Sequence, residues 1–96
     1  MRMLNMVKKR MGIHGNVKVY DDELQSLIED AKLDMLASGV PETMLNLETY
    51  DERAINAVAC YVKANFGNDR SDSDRYMDMY LKKTFRLTLE DDEDVG

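Results

Sequence analysis

Apolar residues along this chain recur mostly at helical spacing. Leu4, Val7, Lys8 and Met11 share one side of a short first helix, and Gly12 and Gly15 in "MGIHGN" end it. After "VKVY", read as a brief extended stretch, comes "DDELQSLIEDAKLDMLASG". Its Leu24, Leu27, Ile28, Ala31 and Met35 are the core face of a second helix. Asp21, Asp22 and Glu23 crowd the start of that helix, where the helix dipole favours negative charge. Asp21 is the expected N-cap. Gly39 stands where a C-cap glycine belongs, and Pro41, the only proline, follows it. "VPETMLNLETY" reads as a connector with room for a short helical turn.

The third helix is predicted from Asp51 to a stop at Gly67. Projected at about 100° per residue, Ile55, Val58, Ala59, Val62 and Phe66 cluster on one side. Ala57, Cys60 and Ala64 lie on the other, a face small enough to admit another backbone. A helix apolar all round is normally buried. Either three helices of the same chain enclose it or a neighbouring subunit completes the cover. The fourth helix is "SDSDRYMDMYLKKTF", capped by Ser71 or Ser73, with Tyr76, Met77, Tyr80, Leu81 and Thr84 at helical spacing. Past Lys83, Phe85, Leu87 and Leu89 alternate with Arg86, Thr88 and Glu90. That stretch is either a short strand, suited to adding to a sheet edge on a partner, or the run-out of the fourth helix. The expected architecture is all-α: a small four-helix domain over residues 1–90 with short connectors. Its core draws on Leu24, Leu27, Ile28, Ile55, Val58, Val62, Phe66, Tyr76 and Tyr80. Residues 91–96 are expected to form a disordered acidic tail.

Composition narrows the function. Ninety-six residues make one small domain. A net charge of −6 argues against a protein whose main work is neutralising phosphates. The charge is segregated: the first twenty residues carry five bases and no acid, whereas residues 21–50 carry eight acids and one base. Oppositely charged regions suit head-to-tail self-association or docking to a larger partner, as well as plain solubility. With no Trp and two Phe, a base-stacking platform is not expected. One Cys gives no disulfide framework and fits a reducing cytoplasm. No apolar run is long enough to span a membrane, and no signal peptide is expected.

Candidate chemistry is sparse. His14 sits alone in a glycine-flanked loop, a poor metal site. Cys60, mid-helix on the small face, has no His or Lys placed in sequence to activate it and reads as a buried thiol. "DRSDSD" fails as a calcium loop, because position six is Asp74 and position twelve Tyr80. "EDAK" echoes an acid-x-Lys nuclease element but lies in an amphipathic helix without an upstream partner motif. No phosphate loop or dinucleotide fingerprint occurs. No catalytic residue, metal or cofactor is expected. Lys8, Lys9 and Arg10 are candidates for contact with DNA or an acidic surface, set against a merely solvated basic face. The eight methionines supply adaptable apolar surface, for a core or an interface.

The order of elements and two phrases, "DERAINAVACYVKANFGNDR" and "SDRYMDMYLKKTF", resemble the small head–tail connector (head-completion or adaptor) proteins of long-tailed bacteriophages. The likeness is to those of Gram-positive hosts, in which "YVK-x-x-FG" and a Tyr-rich "DRY…Y" helix recur. It covers residues 3–84; the "MVKKRMGIHG" start and the "FRLTLEDDEDVG" end depart from it. The resemblance implies a non-enzymatic α-helical subunit of the virion neck, assembled in the host cytoplasm. It implies a ring, commonly twelve-membered, beneath the portal, which extends the channel for double-stranded DNA without reading its sequence. The partners implied are other copies of itself, the portal and the next neck or tail-completion protein. Ala57, Cys60 and Ala64 are then candidates for the subunit interface, and Phe85, Leu87 and Leu89 for contact with portal or neighbour. An acidic wall would let DNA slide rather than hold it. The competing reading is a small acidic helical regulator binding one protein partner, or a packaging accessory touching DNA through Lys8, Lys9 and Arg10.

Overall fold

In the computed structural model, which describes residues 2–46, 51–67 and 71–89, the chain is all-α. Among the described residues four helices follow in order, α1 (Arg2–Arg10), α2 (Asp21–Ser38), α3 (Glu52–Asn65) and α4 (Ser73–Thr88), with a 3-10 turn (Glu42–Leu45) after α2. Their boundaries have local causes. After α1, the amide of Ile13 donates to the carbonyl of Lys8 at 2.8 Å and that of Gly12 to Lys9 at 3.1 Å. The same pair of bonds closes α2, from Val40 to Met35 and from Gly39 to Leu36. Both ends are Schellman motifs, which place a residue in the left-handed region, and Gly12 (φ 76°) and Gly39 (φ 106°) take it without a Cβ penalty. Buried Val40 and Met35 supply the apolar contact that accompanies the motif. Helix α3 starts at an N-cap aspartate: the Asp51 side chain accepts from the Arg53 amide at 2.8 Å.

Helix α3 is the central strut. Eight of its fourteen residues are buried, including Ala54, Ile55, Ala57, Val58, Val62 and Ala64, because α1, α2 and α4 all pack on it. Helix α4 runs antiparallel to it. Ser73, at the start of α4, donates its hydroxyl to the Ala64 carbonyl at 2.7 Å, and the rings of Tyr61 and Tyr80 meet edge to face at 5.1 Å. Tyr20, just before α2, meets Phe66, just after α3, edge to face at 5.3 Å. The Tyr80 hydroxyl reaches across to Asp34 of α2 at 2.5 Å. Leu24, Ile28, Met35, Ile55, Val58 and Val62 form the centre of the core. Truncating Leu24, Ile28, Met35 or Ile55 to Ala costs about 2–5 kcal/mol, a large fraction of the about 5–15 kcal/mol that holds a domain folded.

Several expectations need correction. Of the two readings of the stretch past Lys83, the run-out of the fourth helix holds and the strand does not: among the described residues there is no strand, and α4 carries on to Thr88 because Leu87 continues the buried face of Tyr80 and Thr84. Local alternation is outvoted by the helical period that α3 supports. Asp21 is the first residue of α2 rather than its cap; Tyr20 holds the cap position, and the Asp21 carboxylate is engaged by Lys8. Asp72, not a serine, precedes α4, since the Ser73 hydroxyl is committed to Ala64. "VKVY" is turns and coil with an exposed Val19. Leu27 and Phe66 flank the core, half-buried, and Tyr76 stands outside it. The methionines go mainly inward: Met3 and Met35 are buried, and Met6, Met11, Met44 and Met77 pack against the core. The expected acidic tail, residues 91–96, lies outside the described residues, as do residues 47–50 of the connector.

Candidate functional site

The small face of α3 is already covered. Ala57 and Ala64 have no exposed surface and Cys60 very little, within a single chain. The close approach that small side chains permit is used by α4, which Ser73 clamps to Ala64. Assignment of Ala57, Cys60 and Ala64 to a subunit interface is therefore corrected: Ala57 and Ala64 offer a neighbour no surface and Cys60 very little. Burial pushes the Cys60 thiol above its ordinary pKa, with Lys83 and Lys63 pulling it partly back. A raised thiol pKa means little thiolate and low reactivity.

The basic start of the chain divides in three. Lys8 is 1% exposed. Its ammonium donates to the Val17 carbonyl at 2.6 Å, to Asp21 Oδ1 at 2.7 Å and to the Gly15 carbonyl at 3.3 Å. A lysine has three donors, and all three are used to fasten the 11–20 loop onto α1. Lys8 as a DNA contact is thus a second correction: freeing its ammonium would strand a partly buried carboxylate. Arg10 is half-buried and held by Asn56 Oδ1 at 2.7 Å, Glu52 at 3.4 Å and the Met6 carbonyl at 3.4 Å. Lys9 is exposed.

The outer side of α4 is where apolar surface is left uncovered. Leu81, Phe85 and Leu89 are spaced four apart, one stripe on a helix, and stand 57%, 64% and 64% exposed. Leu87 points the other way and is buried, so of the three residues assigned to partner contact Phe85 and Leu89 are available and Leu87 is core. Leu33 and Leu36 on α2 are also exposed. Tyr76 lies between two cations, with Lys63 Nζ 5.3 Å and the Arg75 guanidinium 5.0 Å from its ring centre.

A feature the sequence did not disclose is a groove of about 360 Å³ between the start of α3 and the end of α4. Arg53, Asn56, Lys83, Arg86, Leu87 and Leu89 line it. Arg53 comes from one helix and Lys83 and Arg86 from another; antiparallel packing alone brings the three cations together. The available signal was the i, i+3 pair on α4, which is indistinguishable from solvated charge in isolation. Among the described residues, no group of His, Cys, Asp and Glu is arranged to hold a metal ion, and no helix is long and apolar enough to cross a membrane.

The profile of a family described as phage connector protein matches residues 3–94, nearly the whole chain. No curated protein and no solved structure matches it.

Proposed function

This chain belongs to the phage connector proteins, structural components of the virion neck, and on that premise we propose that it acts without catalysis as one subunit of an oligomeric ring joining the portal to the tail. The observation that carries the reading is the exposed stripe of Leu81 and Phe85 on α4 with Leu89 at its C-cap. Large apolar side chains aligned on one helix face mark a contact surface when they form a patch. Phe85 and Leu89 then bear on the portal or the neighbouring subunit. In the ring, the acidic chain lines or supports a DNA channel without gripping the phosphates. The resemblance to connectors of Gram-positive-host, long-tailed phages favours a twelvefold ring, a portal partner and a further neck or tail-completion partner. Burial of Lys8 and tethering of Arg10 leave Lys9 alone of the three bases to serve a DNA-packaging accessory, which disfavours that alternative.

Light scattering over a concentration series, with and without the portal of the same phage, tests the proposal. A discrete large ring, alone or with the portal, is the expected result. The double substitution Phe85→Ser and Leu89→Ser should leave the monomer fold intact and weaken assembly. Burying each large apolar side chain is worth about 1.5–3 kcal/mol, so losing two of them raises the assembly midpoint at least about a hundredfold. A monomer or dimer that ignores the portal under all conditions would reject the ring.

A further inference from the structure

The outer face of α4 joins apolar and basic groups. Leu81, Lys82, Phe85 and Arg86 line one shallow hollow on it. Leu81 and Phe85 are exposed, and Arg86 makes no ion pair with another described residue. Lys82 holds Asp78 at 3.0 Å, but both side chains face water, so that pair contributes little and gives way to a better partner. From Leu81 to Leu89 the chain carries three bases and no acid.

A face of the opposite charge lies on α2. Projected at about 100° per residue, Asp22, Glu29, Leu33 and Leu36 fall on one strip, turned away from the buried side of the helix. Leu33 is 65% exposed and Leu36 40%. Asp22 and Glu29 are exposed too, and neither makes an ion pair with another described residue; Glu29 accepts from Gln25 at 2.8 Å. The whole of α2 carries six acids and one base, Lys32.

We propose, resting on the ring reading, that the face of α4 bearing Leu81 and Phe85 docks on the face of α2 bearing Leu33 and Leu36 in the next copy of this chain, its cations opposite the α2 acids. Three considerations select that occupant. A ring that closes by rotation needs two different patches on each subunit, one for each neighbour, and α4 and α2 supply them. Charge is complementary between the two faces, whereas α4 set against its own copy about Phe85 would bring Lys82 and Arg86 against the same two cations. A polyanion such as DNA would answer the cations and leave Leu81 and Phe85 in water; a second copy's α2 answers both.

The test uses the full chain in two variants, each with one face spoiled. Leu33→Lys leaves the α4 face intact, and Phe85→Ser combined with Arg86→Ser leaves the α2 face intact. All three positions are exposed, so thermal melts by circular dichroism should match the parent. Sedimentation equilibrium follows each variant alone and an equimolar mixture, up to about 1 mM, which registers even a millimolar contact. The mixture should form a one-to-one pair and nothing larger, at least about tenfold tighter than either variant with itself. Raising salt from about 50 to about 500 mM should loosen that pair, because the facing charges are screened. A mixture no tighter than the separate variants would overturn the proposal. So would self-pairing of Leu33→Lys, which would give α4 to its own copy. Light scattering of the parent, with and without the portal, reads the ring separately. A parent ring with no mixed pair keeps the ring and discards this contact; a mixed pair from a parent that never forms a ring keeps the contact and discards the ring.

Discussion

Removing the Lys8 ammonium should loosen the 11–20 loop and cost much of the stability of the domain. The substitution Lys8→Met keeps most of the apolar stem and deletes the charge. It strands Asp21 and the Val17 and Gly15 carbonyls, which now accept at 2.7, 2.6 and 3.3 Å. Breaking a buried ion pair by removing one partner costs about 3–5 kcal/mol. The Asp21 side chain is 26% exposed and recovers some hydration, which brings the expected loss to about 2–3 kcal/mol. For a domain of this size each kcal/mol moves the melting temperature by about 4–8 °C, so a fall of about 8–24 °C follows. Urea and thermal unfolding followed by circular dichroism measure both. Hydrogen exchange should show the amides of Ile13 and Val17, bonded to the Lys8 and His14 carbonyls, losing protection before those of α3. A double-mutant cycle with Asp21→Asn isolates the pair and should give a coupling of about 1–3 kcal/mol. Because Lys8 is buried, the coupling should change little between low and high salt. A loss below about 0.5 kcal/mol, or a coupling near zero, would refute the view that this lysine anchors the loop.

Ala64→Leu, placed where α4 already touches α3, should destabilise the isolated monomer by about 1–3 kcal/mol through overpacking, read by urea unfolding; an unchanged monomer with impaired assembly would restore the subunit-interface reading of that face. Burial, followed by the hydrogen bond to Asp34 and its charge, holds the Tyr80 phenol above the ordinary tyrosine pKa of 10.0. The folded state therefore keeps this proton when the unfolded state has lost it. The resulting stability is fully present below about pH 10 and is lost as pH rises beyond it. Tyr80→Phe should flatten that alkaline decline relative to the parent, and parallel curves would sink the assignment. Cys60 should react with iodoacetamide far more slowly in the native chain than in urea; comparable rates would contradict its burial.

Much of the fold was legible in periodicity. The apolar positions of α2 and α3 repeat at helical spacing over about three turns each, and Gly39 marks a boundary by an αL conformation that other residues resist. The errors share a physical origin in choices that tertiary contact decides. The alternation of Phe85, Leu87 and Leu89 is compatible with a strand until α3 offers a groove for Tyr80, Thr84 and Leu87. Lys8 falls on the apolar side of α1, a position that hinted at burial, yet its acceptors come from a loop whose path no local pattern encodes. Ser73 and Asp21 have the chemistry of caps and spend it on tertiary partners instead.

Enclosure of α3 changes where assembly contacts must be sought. A small-residue face on the central helix left two ways to complete the core, helices of the same chain or a neighbouring subunit, and the second would have made folding and ring formation one event. With Ala57 and Ala64 sealed inside the chain and Ser73 fastening α4 over them, the core closes without a neighbour. In the proposed ring, folding and assembly would then be separable, and the contacts between subunits would fall to outer helix faces such as the one that exposes Phe85 and Leu89. A subunit built this way does not need a neighbour to bury Ala57 and Ala64. If the proposed ring forms, weak contacts through its narrow apolar stripe would add up around the circle. Closure supplies the cooperativity that a single contact of two or three side chains lacks, because each subunit added to a ring is held on two sides.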